Sequence, residues 1–97
     1  MTGHAGLIKR EAKMLIRSLK TIAAEITSDW RSLANSSAKP YVEAMAQLQG
    51  LGDKYHLDSA VSIVAYFLGT AGTWRGPVAK RVKAELRAMM TLHNNSN

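Results

Sequence analysis

Residues 59–74 run for sixteen positions without a charged side chain, between Asp58 and Arg75, in a chain whose residues are 21% charged. A helix on the surface of a small domain normally shows water a charged face. Here Ala60, Ile63, Val64, Phe67, Leu68 and Ala71 fill a broad apolar arc at helical spacing, and the other side carries Ser59, Ser62, Ala65, Tyr66, Gly69 and Thr70. Such a helix is either wrapped by neighbours on most sides or presents its small-residue face as an interface. The stretch therefore predicts the central, buried helix of an all-α domain, over 58–71. It also predicts a homodimer formed through Ser62, Ala65, Tyr66 and Gly69, since symmetric dimers are the commonest oligomers.

Other segments supply the partners that such a helix needs. Ile8, Ala12, Leu15, Leu19, Ile22, Ala23, Ile26, Trp30 and Leu33 recur at steps of three and four, and neither Pro nor Gly interrupts residues 7–35. That seam predicts one long N-terminal amphipathic helix, straight or kinked, running in phase through Trp30 and Leu33, although Thr27-Ser28-Asp29, residues that favour caps over helix interiors, could break it. Pro40 opens a second helix over 40–49 with Tyr41, Ala44, Met45 and Leu48 on one side, and Gly50 and Gly52 stop it. Asp58 or Ser59 caps the central helix. A turn over 72–76 follows, in which Trp74 plugs the core, and Pro77 opens a last helix over 77–92 with Val78, Val82, Leu86 and Met89 as its buried stripe. A frayed tail is expected over 93–97. At 97 residues this is one domain, 1–97, of four helices.

Charge narrows the classes of function. The net charge of +6 is uneven: residues 1–20 carry +4, residues 75–97 carry +4, and residues 21–74 carry −2. On the first helix Lys9, Arg10, Lys13, Arg17, Lys20 and Arg31 fall on one flank, opposite Glu11, Glu25 and Asp29. On the last, Lys80, Lys83 and Arg87 centre the face opposite the apolar stripe, with Arg81 to one side; Arg75 precedes it. A solvated helix surface accounts for such residues, but segregation by sign suits a phosphate backbone or an acidic protein surface. The candidate binding residues are thus Lys9, Arg10, Lys13, Arg17, Lys20, Arg75, Lys80, Arg81, Lys83 and Arg87.

Catalytic and metal chemistry find little support. Asp53, Lys54, Tyr55, His56, Asp58 and Ser59 form the densest polar cluster, yet turn formation and capping account for them without a nucleophile–base–acid geometry. There is no cysteine, and His4, His56 and His93 are far apart, with no His-x-x-x-His pair to hold a metal. Neither a metal nor a cofactor is implied, and a non-enzyme is expected. The turn at Gly72, Thr73 and Gly76 lacks the Gly-Lys-Ser/Thr ending of a nucleotide-binding loop. A helix-turn-helix alignment through Gly69 places Pro77 inside the recognition helix, where proline is disfavoured. The uncharged run is too rich in Ser, Thr and Gly to cross a bilayer, and the N-terminus lacks the apolar core of a signal peptide. No membrane partner and a reducing, cytoplasmic setting are expected.

Asp58-Ser59, Ser62-Ile63-Val64, Tyr66-Phe67-Leu68, Thr73-Trp74-Arg75-Gly76 and Val82-Lys83-Ala84-Glu85-Leu86, about a third of the chain, resemble segments of short all-helical proteins carried by phages and conjugative plasmids. The resemblance implies a regulator or inhibitor of host machinery, such as an anti-CRISPR protein, acting by binding to a host protein. Two expectations follow: contact with nucleic acid or a nucleic-acid-containing complex through basic helix faces, or inhibition of a host protein or ribonucleoprotein by protein–protein contact.

Overall fold

The computed structural model describes residues 16–55 and 58–95. They form the expected all-α domain of four helices: α1 (Leu19–Asp29), α2 (Lys39–Met45), α3 (Ala60–Thr70) and α4 (Pro77–Asn95). A 3-10 turn at Leu33–Asn35 follows α1, and a two-stranded antiparallel ladder, β1 (Lys54–Tyr55) with β2 (Asp58–Ser59), leads into α3. The ladder pairs Lys54 with Ser59 and Tyr55 with Asp58. Its strands are too short to show an alternating pattern, and the sequence reading treats them as loop.

The first helix is shorter than the apolar seam predicts. Its residues 7–15 lie outside the described residues, and Arg17 and Ser18 are not helical. Ser18 is extended, and its Oγ accepts the Thr21 N–H at 3.1 Å, a helix N-cap. The Leu19 and Lys20 N–H groups donate to the Gln49 and Leu48 carbonyls at 2.8 and 2.9 Å. Donors that the first turn cannot satisfy internally are thus met by the segment after α2. The helix stops at Asp29, because Trp30 turns extended while its N–H still bonds the Ile26 carbonyl. Thr27-Ser28-Asp29 is therefore where the helix ends, and the α-helix does not run on through Trp30 and Leu33 as the seam predicts.

α2 packs against both α1 and α3, and α4 against the same two helices. Phe67 is fully buried between them, with Leu19, Ile22, Ile26, Met45, Val64, Val82 and Leu86. Ala60, Ile63, Val64 and Phe67 form the buried arc of α3, as their spacing predicts, and Ser59 caps it through the Ser62 N–H at 3.1 Å. On α2 the buried residues are Val42, Ala44 and Met45, with Tyr41 only half-buried. α4 continues through Asn95, past the expected end at 92.

Around Phe67 the aromatic side chains form a cluster. Trp30 and Trp74 stack with centroids 5.7 Å apart and planes within 10°, and each meets Phe67 edge-on at 6.4 and 6.3 Å. The Trp74 Nε1–H donates to Asp29 Oδ2 at 2.9 Å. This anchors the 72–76 turn to the end of α1 and fixes where α4 begins. Gly76, at φ 109°, makes the last bend before Pro77, in a backbone region that side chains disfavour.

Candidate functional site

α4 divides its surface three ways. Ala79, Val82, Leu86 and Met89 face the core. Arg81 and Glu85, one turn apart, meet α1 and the residues before it. Lys80, Lys83 and Arg87 form the remaining stripe and, with Arg75, line an open cleft of about 550 Å³ floored by Trp74, Ala79 and the 72–76 turn. Among the described residues no carboxylate lines this cleft. Four cations therefore converge where the turn presents backbone and the helix begins.

Lys83 is the most constrained of them. Its Nζ donates to the Trp74 carbonyl at 2.7 Å and sits 6.0 Å from the Trp74 ring centroid. Burial, followed by the charges of Arg87 and Arg75, holds its ammonium below the usual lysine range. The cluster thus stores like-charge repulsion that an incoming anion relieves. Arg75, Lys80 and Arg87 are exposed, with their head groups open to a ligand.

Two of the predicted binding residues are engaged elsewhere. The Arg17 guanidinium grips Glu85 in a fork, Nε to Oε2 at 3.0 Å and Nη2 to Oε1 at 2.6 Å. Its Nη2 also lies 2.8 Å from Glu25 Oε1, a charge contact without hydrogen-bond alignment. Arg81 bonds the other Glu25 oxygen. Arg17, Glu85, Glu25 and Arg81 form a neutral network tying the chain before α1 to α4. The Arg17 pKa is raised, chiefly by Glu85, and Glu25 is held below the usual carboxylate range, first by Arg81 and also by Arg17. Arg17 therefore does not join the open basic surface, and the pairing with Glu85 spans 68 residues, which no local spacing announces.

Lys20 is exposed beside a separate shallow depression with Ala24, Thr27 and Ala46. Lys9, Arg10 and Lys13 lie outside the described residues. The basic surface that the described residues bring together is thus the set on and before α4. On α3, Ser62 is half-buried while Ala65, Tyr66 and Gly69 are exposed, so the uncharged face proposed for self-association is uncovered in the single chain.

The polar cluster after α2 serves the backbone. Asp53 Oδ2 accepts the Gln49 and Gly50 N–H groups at 2.9 and 3.2 Å, and Ser59 is the α3 cap; His56 lies outside the described residues. Among the described residues no group of three or more His, Cys, Asp or Glu side chains is placed to hold a metal ion. No helix among them is long and apolar enough to cross a membrane. No family model, curated protein or solved structure matches the chain.

Proposed function

We propose that this chain is a small, basic, non-catalytic binding protein that contacts the phosphate backbone of nucleic acid through the cleft lined by Arg75, Lys80, Lys83 and Arg87. The observation that carries this reading is four converging cations with no carboxylate beside them among the described residues, one with its ammonium destabilised by burial and by its neighbours. Phosphates supply charge at regular intervals and need no deep pocket, which suits an open cleft beside a helix. Trp74 is 2% exposed, so base stacking on it plays no part.

Anisotropy of a short labelled duplex and of a single strand, measured against salt, tests the proposal. Four phosphate contacts give a log–log slope near ~−3.6 on duplex, at about −0.9 per contact. Exchanging both Lys80 and Arg87 for Ala, at exposed positions, flattens the slope by about 1.8. Absence of binding at about 50 mM salt overturns the proposal.

That outcome selects the second reading, a stoichiometric inhibitor of a host protein or ribonucleoprotein, in which the same cations meet an acidic protein surface. The resemblance to phage and plasmid proteins supports it. Self-association belongs to either reading: exposed Ala65 and Gly69 leave α3 an uncharged strip on which a second copy packs, beside the Tyr66 ring that lies against Tyr41. Sedimentation at micromolar concentration showing only the 10.6 kDa monomer removes the dimer.

A further inference from the structure

All three tyrosines of the chain, Tyr41, Tyr55 and Tyr66, line one cleft of about 310 Å³, together with Pro40 and Asp58. They come from three different elements, α2, β1 and α3, so only the tertiary fold assembles them. The Tyr41 and Tyr66 rings stand 5.6 Å apart, tilted by 38°, as neighbouring walls. The β1–β2 register pairs Tyr55 with Asp58, which sets the third ring and the carboxylate at the same rim. Asp58 is exposed and takes part in none of the ion pairs among the described residues.

Among the described residues no Lys or Arg lines this cleft. Aromatic faces carry negative potential, and several of them around one space, with a carboxylate at the edge, make a cation receptor that favours poorly hydrated ammonium groups. The volume falls at the lower end of the range for small-ligand sites, about 300 Å³. We propose that the Tyr41/Tyr55/Tyr66/Asp58 cleft binds an alkylated ammonium group. This site is separate from the basic cleft, and neither depends on the other being occupied. The rings supply cation–π attraction and Asp58 the opposing charge.

The test compares choline with its neutral carbon isostere, 3,3-dimethylbutan-1-ol, by following the tyrosine ring resonances in NMR titrations of the whole chain. The cation is expected to shift those resonances saturably and to bind about five- to tenfold more tightly than the isostere. Asp58→Asn, isosteric at an exposed position, lowers choline affinity several-fold at unchanged melting temperature. Tyr66→Leu, also at an exposed position, removes one wall and reduces it by a similar factor. A trimethyllysine peptide that binds more tightly than choline supports the site with its cation carried on a polypeptide; equal binding supports a free ion. Equal binding of choline and the isostere, unsaturable shifts, or indifference to both substitutions overturns the proposal.

Discussion

The Trp74 indole N–H donates to the Asp29 carboxylate at 2.9 Å, joining the turn before the last helix to the final residue of the first. Trp74 is 2% exposed, so the bond adds to burial and to the stack on Trp30. Trp74→Phe retains much of the apolar contact and loses the donor; Asp29 is exposed and returns to water. A loss of about 1 kcal/mol is expected. Trp74→Ala removes the ring and should cost about 3–5 kcal/mol. Urea unfolding, followed by far-UV circular dichroism so that the lost fluorophore does not matter, checks both. Equal losses for the two variants would show that the hydrogen bond, not the ring, holds the turn.

Phe67→Ala should also cost about 3–5 kcal/mol, since the ring is 0% exposed and meets both tryptophans edge-on. That is a large part of the stability of a domain this small. An unchanged melting temperature would contradict the burial.

Arg17→Ala should destabilise by about 1–2 kcal/mol, between the value of an exposed ion pair and that of a charge-assisted bond. Arg17→Lys recovers only part of it, because an ammonium cannot reproduce the fork on Glu85. Acid acts on the same network. Glu25 has a pKa below its ordinary 4.5, so its stabilisation is complete above that value and is lost as pH falls through the lowered one. Thermal melts of wild type and Glu25→Gln should therefore converge at acid pH; a constant gap between them would remove Glu25 from the account.

Lys83 behaves in the opposite sense. Its folded pKa lies below the ordinary 10.5, so carrying the charge opposes folding, and stability rises as pH climbs from the lowered value to 10.5. The advantage of wild type over Lys83→Met should grow with pH across that window. A bound phosphate pushes the pKa back up, so nucleic-acid affinity should fall as pH rises through the same interval. A pH-independent difference in stability would show that burial and neighbouring charge do not act on Lys83.

Gly76→Ala forces a side chain onto φ 109°, although nothing lies within 4 Å of the added carbon. The cost is backbone strain alone, about 1–2 kcal/mol. Because this bend aims Arg75 and starts α4, the variant should also weaken ligand binding at the basic cleft. A fully stable variant with full affinity would show that the turn accepts another conformation.

Much of the core was legible because its signal is periodic. Leu19, Ile22, Ala23, Ile26, Trp30 and Leu33 recur in register and are all buried, as are Ile63, Val64 and Phe67. The same periodicity hid the start of the first helix: apolar residues stay in phase through Leu15 and Leu19, while the break at Ser18 depends on carbonyls of Leu48 and Gln49. The basic stripe Lys80, Lys83 and Arg87 could be read from spacing. That Arg17 and Arg81 are neutralised could not, because Glu85 and Glu25 reach them only through the tertiary fold. The convergence of the three tyrosines is likewise invisible in sequence, and it rests partly on a ladder of two-residue strands.

Both tryptophans of the chain belong to one stacked pair, and Lys83 leans on one of them while lining the basic cleft. The protein therefore carries its own optical gauge. A ligand that draws the ammonium off the Trp74 carbonyl alters the field at that indole and moves its emission wavelength, while the stacked, immobilised rings keep their near-ultraviolet circular dichroism. Unfolding separates the rings, erases that signature and moves the emission of both buried indoles to the red as water reaches them. Occupancy and denaturation can thus be read apart in one cuvette, without a label on the protein.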